Sequence, residues 1–172
     1  MTTPPFDPAS ARDVEVVQQQ LGRPVRGVLG IAARCVCGNP TVVATAPRLP
    51  DGSPFPTLYY LSHPEAVAEM SRLEADQVMA EFNEMLTEDE DVRAQYQRAH
   101  EAYLADRATF GEVPEIAGVS AGGMPTRVKC LHALLGHSLA AGEGVNPIGD
   151  AALARSAWSP ERCACSDPGA AA

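Results

Sequence analysis

Residues 34–63 leave the fewest choices of backbone. They read R-C-V-C-G-N-P, T-V-V-A-T-A, P-R-L-P-D-G-S-P-F-P and T-L-Y-Y-L-S-H. A Cys-x-Cys-Gly turn joins two runs with β character, and an Asp-Gly turn among prolines leads into a third. Pro47, Pro50, Pro54 and Pro56 each remove a backbone donor and fix φ, so residues 47–56 are neither helix nor central strand. Before the turn, residues 25–34 alternate, with Leu29, Ile31 and Ala33 on one face and Gly30, Ala32 and Arg34 on the other. Thr41–Ala46 and Thr57–Leu61 supply the other two strands. Short connections between three strands predict a small, mostly antiparallel sheet.

The flanks are helical. A helix is expected from near Pro8 to Leu21, stopped by Gly22 and Pro24. After His63-Pro64, Ala66, Met70 and Leu73 share a face, and Val78, Phe82 and Met85 share one rotated from it. The helix should therefore break near Ala75-Asp76. Thr87 and Glu90 have capping-box spacing. The helix they would open carries the stripe Val92, Tyr96, Ala99 and Tyr103 and ends before Gly111. Pro125, after a glycine-rich loop, suits the first residue of a further helix carrying Val128, Leu131, Leu135 and Leu139. After the loop G-V-N-P-I-G-D, Ala151–Ala157 reads as a short helical turn.

The expected fold is α+β, with a three-stranded antiparallel sheet packed against a helical C-terminal two-thirds. Residues 14–155 form its single domain. Residues 1–13 read as a loose extension and 156–172 as a flexible tail.

The 172 residues carry 22 acidic against 13 basic side chains, a net charge of −9. That balance argues against binding nucleic acid or anionic membranes, which need a positive surface. No apolar run approaches the roughly 20 residues of a membrane span. The N-terminus lacks the basic and apolar regions of a signal peptide, so a cytoplasmic location is expected. In a reducing compartment, the odd count of 5 cysteines suits metal ligation or buried thiols better than disulfides.

The strongest chemical candidate is a metal site of Cys35, Cys37, His63 and Cys130. Two thiols one residue apart can reach one ion, a histidine stands at a strand end, and a lone thiol precedes a helical run. Zn2+ accepts a Cys3His set, and an iron–sulfur cluster is the alternative. His132 is close in sequence. His137 lies about two turns, roughly 10 Å, from Cys130, too far to share its ion. The competing reading makes Cys35 and Cys130 core thiols and His63 a surface histidine. A second Cys-x-Cys, Cys163-Ala164-Cys165, ranks lower because its surroundings lack pattern.

Ser120, Gly122, Gly123, Arg127 and Lys129 are the second candidate, an anion cradle ahead of a helix N-terminus. The alternative is that these glycines only permit a tight turn. G-V-S-A-G, residues 118–122, also matches the pattern around a hydrolase serine, but Pro114 interrupts the strand that pattern needs. Arg48, Asp51, Tyr59 and Tyr60 could line a pocket beside the sheet, or form a hairpin's own ion pair and core aromatics. Glu84, Glu88 and Asp91 belong to an acidic helical face suited to a basic protein partner.

The motifs L-G-R-P-V-R-G, R-C-V-C-G-N-P-T-V-V-A-T-A-P-R-L-P-D-G-S-P-F-P-T-L-Y-Y-L, Y-x-R-A-H-E-x-Y-L, G-V-S-A-G-G-M-P-T-R-V-K-C-L-H-A-L and G-x-G-V-N-P-I-G-D together resemble an actinobacterial family of unknown function, the one numbered five hundred and one. The resemblance runs from about Val14 to Leu153. It implies a cytoplasmic protein encoded beside a septum-formation initiator protein and an exopolyphosphatase. It also implies relatives that often carry cysteine at the position of His63, and it brings no catalytic residue. The function expected is that of a metal-stabilised accessory protein, tied to cell division or polyphosphate metabolism and binding a division protein or a small anion. The alternative is a small enzyme holding a phosphorylated or acyl substrate at Gly118–Lys129.

Overall fold

A computed structural model describes residues 6–167. Its order is α1 (Ala11–Leu21), β1 (Val28–Arg34), β2 (Pro40–Thr45), β3 (Tyr59–Leu61), α2 (Pro64–Ala75), α3 (Val78–Glu88), α4 (Glu90–Ala108), α5 (Leu131–Ala141) and α6 (Pro147–Arg155), with a 3-10 turn at Pro114–Ile116. The sheet order is β1-β2-β3, antiparallel throughout. This is the expected α+β architecture.

The sheet lies between two layers. Val43 and Ile31 pack with Val17 of α1 on one face. Val42, Tyr59 and Leu61 face the other way, into the large core built by the remaining helices. Every residue of β2 is therefore buried. Strict alternation fails in β1, where irregular register between Val28 and Gly30 and between Ile31 and Ala33 indicates bulges. Leu29 and Ala33 accordingly join the helical side while Ile31 turns to α1.

α1 opens on a capping box, with Ser10 accepting from the Asp13 amide and the Asp13 carboxylate accepting from the Ser10 amide. Asp13 also takes two hydrogen bonds from Arg34, at 2.7 and 3.1 Å, joining helix to sheet. His63 caps α2: its Nδ1 accepts from the Glu65 amide, and Pro64 occupies the first turn. α2 and α3 are separated at Gln77, whose φ of 62° ends the helix within two residues of the expected break.

Three helix starts differ from expectation. Thr87 stays inside α3, donating to the Asn83 carbonyl, and Asp89 caps α4 by accepting from the Asp91 and Val92 amides. A carboxylate at the positive end of the helix outcompetes the hydroxyl two residues earlier. α5 starts at Leu131 instead of Pro125. In the intervening segment the Arg127 amide donates to Gly123, the Lys129 and Cys130 amides to Gly122, and the Val128 amide to the Asn83 side chain. Those bonds fold a compact loop in place of a helical ladder. The last helix, α6, starts earlier than expected because Asn146 caps it and Pro147 fits its first turn.

α5 lies directly on the sheet. A Cβ on Gly136 would stand 2.7 Å from the Tyr59 carbonyl oxygen, so only glycine allows that approach. His137, fully buried beside it, stacks on Tyr59 and meets the edge of Tyr103. Beyond α6 the chain returns to the first hairpin. The Ala157 amide donates to Glu69, Trp158 buries its ring against His63, and the Val36 amide donates to the Pro160 carbonyl. Residues 156–167, expected as a flexible tail, thus pack on the cysteine turn. At the other end, residues 6–13 contribute the Asp7–Ile31 bridge and the cap of α1. Residues 1–5 and 168–172 lie outside the described residues.

Candidate metal centre

The turn between β1 and β2 carries Cys35 and Cys37. The Cys35 amide donates to the Asn39 carbonyl, and the Gly38 amide donates back to the Cys35 carbonyl at 2.8 Å. Gly38 takes φ 90°, which closes the turn and leaves both thiols on its inner side. Arg34 tightens it from outside, donating to the Gly38 carbonyl while paired with Asp13.

The packed C-terminal segment brings the second Cys-x-Cys to the first. The sulfurs of Cys35, Cys37, Cys163 and Cys165 all lie within 4.8 Å of one another. Cys37 and Cys165 are 3.6 Å apart, much longer than the ~2.05 Å of a disulfide. It is close to the roughly 3.8 Å edge of a tetrahedron with 2.3 Å Zn–S bonds. Four thiolates around one ion is a closed structural site, the arrangement zinc and single iron ions accept. A cluster of several irons would hold its cysteines farther apart than this.

The surroundings fit that chemistry. Burial pushes the Cys35 and Cys165 thiols up, and a neighbouring thiol adds to it in each case. Four thiolates so close together need a cation, so metal uptake must release protons. Asn39 donates to the Asp167 carbonyl, and Arg12 pairs with the Asp167 carboxylate at 2.8 Å, so the chain is anchored two residues beyond the second pair of thiols. A cavity of about 160 Å³ lined by Arg12, Asn39, His63 and Cys165 borders the group.

His63 has a different part from the one expected of a ligand. Its Nδ1 accepts from the Glu65 amide, so the ring proton sits on Nε2, which lies 3.3 Å from the Cys165 sulfur. An N–H donor at that position neutralises part of a thiolate's charge and orients it. Burial lowers the pKa of His63, which favours this neutral form.

Cys130 is not among the four. It stands at the N-terminus of α5, where Glu74, Cys130 and His132 make a separate group whose donor atoms also lie within 4.8 Å. The expected set of Cys35, Cys37, His63 and Cys130 therefore divides. The two sulfurs of the turn join the tail pair, His63 borders them, and Cys130 sits elsewhere with His132. Spacing could not show this, because the division depends on where residues 156–167 return. The signal in the sequence was the repeated Cys-x-Cys itself.

The glycine loop is organised as a turn. The amides of Arg127, Lys129 and Cys130 are used by the loop's own carbonyls, on Gly122 and Gly123. The N-terminus of α5 does hold an anion, but an internal one: the Leu131 amide donates to the Glu74 carboxylate at 2.8 Å. Arg127 and Lys129 are exposed. Ser120 is 2% exposed and 2.8 Å from Nδ1 of His100, a hydrogen bond between two buried side chains. That burial withholds the hydroxyl from a substrate. Arg48 pairs with Glu115 and Asp51 with Arg26, while Tyr59 and Tyr60 line a groove beside the sheet that includes neither Arg48 nor Asp51. Glu84, Glu88 and Asp91 are exposed on α3 and α4.

Among the described residues no helix is long and apolar enough to cross a membrane. Comparison with curated proteins and with solved structures gives no match. The model of a family described as protein of unknown function (DUF501) does match, over residues 31–154, a span that runs from within β1 to near the end of α6 and includes the first pair of thiols. The chain belongs to that family.

Proposed function

We propose that this protein is a metal-stabilised accessory protein in which Cys35, Cys37, Cys163 and Cys165 hold one Zn2+ ion. The observation that carries the reading is the convergence of two Cys-x-Cys pairs, 128 residues apart, within 4.8 Å. The ion clips the C-terminal segment to the β1–β2 turn and thereby fixes the surface that turn, α1 and the tail build together. A site closed by four sulfurs leaves no position for substrate, so its contribution is structural. Elemental analysis of protein purified without oxygen should find zinc, and Cys37→Ser or Cys165→Ser should each lose it. Iron with a visible charge-transfer band would replace zinc by a mononuclear iron centre, and four-thiol variants that keep all the metal would end the reading.

The accessory role is supported by the exposed acids Glu84, Glu88 and Asp91 on α3 and α4, which suit a basic segment of a partner protein. A link to cell division or polyphosphate metabolism rests on the gene neighbourhood implied by the family resemblance. Capture of such a partner at low salt, lost at high salt and on reversing these three acids to lysine, is the expected result. A partner retained by the reversed protein would remove this face from the interaction.

A further inference from the structure

Glu74, Cys130 and His132 are brought together by two helices. Glu74 is in the last turn of α2, while Cys130 immediately precedes α5 and His132 lies in its first turn. The Cys130 sulfur is 3.9 Å from Nδ1 of His132, and Glu74 Oε1 is 3.1 Å from the same nitrogen. The outward contacts of the group fix its orientation. His132 Nε2 faces the Val67 carbonyl at 3.2 Å and the Ser71 hydroxyl at 3.1 Å. A carbonyl can only accept, so Nε2 carries a proton, and Nδ1 is the ring nitrogen turned to the sulfur and the carboxylate. The Leu131 amide at 2.8 Å holds Glu74 Oε1 in place. A ring nitrogen donating to a backbone carbonyl, with the opposite nitrogen facing other donor atoms, is how proteins orient a metal-binding histidine.

From this geometry we infer that Glu74, Cys130 and His132 form a second metal site, taking Zn2+ through Oε1, Sγ and Nδ1. It is independent of the four-cysteine reading, sharing no residue with it. Thiolate and imidazole select zinc over magnesium or calcium. Three protein donors leave a tetrahedral ion one position for water, the pattern of open zinc sites and the opposite of the closed four-sulfur group. That position is reachable: a groove of about 590 Å³ lined by Tyr59, Tyr60, Leu61 and Val67 extends to Cys130 and His132. Its ligand class is thus a divalent transition ion with an exchangeable water, open to a small molecule entering along the groove.

Without an ion, the same three groups would form a hydrogen-bonded trio, with His132 protonated between thiolate and carboxylate. Alkylation of the full-length wild-type chain distinguishes the two. Stripped with chelator and then given Zn2+, the protein should lose Cys130 reactivity toward iodoacetamide by on the order of tenfold, read on the Cys130 peptide by mass spectrometry. An equal rate with and without Zn2+ overturns the proposal. Zinc counts assign the sites: two ions per chain in wild type, with one lost in Cys130→Ser or His132→Asn and the other in Cys37→Ser. If the four-cysteine reading alone fails, wild type holds one ion and Cys130→Ser removes it. If this proposal alone fails, the single ion survives Cys130→Ser and is lost in Cys37→Ser.

Discussion

Asp13 shows how much one side chain can decide. It caps α1, accepts two bonds from Arg34, and through Arg34 steadies the carbonyl of Gly38 beside the thiols. The Arg34 guanidinium holds its carboxyl down to about 2, well below the ordinary 3.8 of an aspartate, although burial opposes the shift. A depressed carboxylate stabilises the fold fully above its unfolded pKa and loses that contribution as pH falls through the folded one. Asp13→Asn should therefore cost roughly 2 kcal/mol at neutral pH, and the gap from wild type should close between about pH 4 and pH 2. Urea unfolding of both proteins across that range checks it. A gap that stays constant with pH would show that Arg34 contributes little through charge.

Among the elements, the seam between α4 and β3 is tied by two hydroxyls, that of Tyr59 donating to Asp106 and that of Tyr103 accepting from the strand. Tyr103, fully buried in α4, accepts the Leu58 amide at 2.6 Å where the chain enters β3, and its ring meets Tyr59 edge-on. The preceding proline segment supplies no strand neighbour on that side, so the tyrosine takes the place of one. Tyr103→Phe keeps the ring and removes the acceptor, leaving a buried amide unsatisfied. The expected cost is about 1–3 kcal/mol in chemical denaturation, with the fold retained. A change within a few tenths would mean that the amide finds another partner. The same dependence explains why β3 is only three residues long although five were expected: Leu58 serves the sheet through its carbonyl, which accepts from Thr45, while its amide goes to the helix.

For the whole molecule, the clip makes a separable claim. Its sulfurs join the first hairpin to a segment that lies beyond the last helix, while the core of α2, α4, α5 and α6 contains none of the four. Chelation should therefore release residues 156–167 without melting the domain. Trypsin is expected to cut at Arg155 and Arg162 much faster in chelator than in Zn2+, with α2 to α5 persisting as a resistant fragment. Equal cutting in both conditions would show that Trp158 and the Asp167 contacts hold the segment unaided.

Local physics made much of this protein legible from its sequence. The proline segment, the Cys-x-Cys-Gly turn and the three β runs can pair only as a short antiparallel sheet. The stripe Val92, Tyr96, Ala99, Tyr103 has one helical face to bury, and it is the face that packs. Gln77 breaks α2 from α3 where the apolar stripe rotates. Each of these is decided within a few residues by backbone geometry or side-chain period. The start of α5 and the membership of the thiol group were not legible in the same way. Pro125 satisfies every local rule for a helix start, yet Asn83 and Glu74, contributed by other helices, take the amides that decide the boundary. Cys130 and Cys163 are both thiols near a turn or helix end. Which of them meets Cys35 depends on the path of the chain after α6, and that path is set by Trp158 packing on His63 and by Pro160 pairing with Val36. Contacts between distant segments carry no period and no spacing, so only the tertiary structure could assign the site.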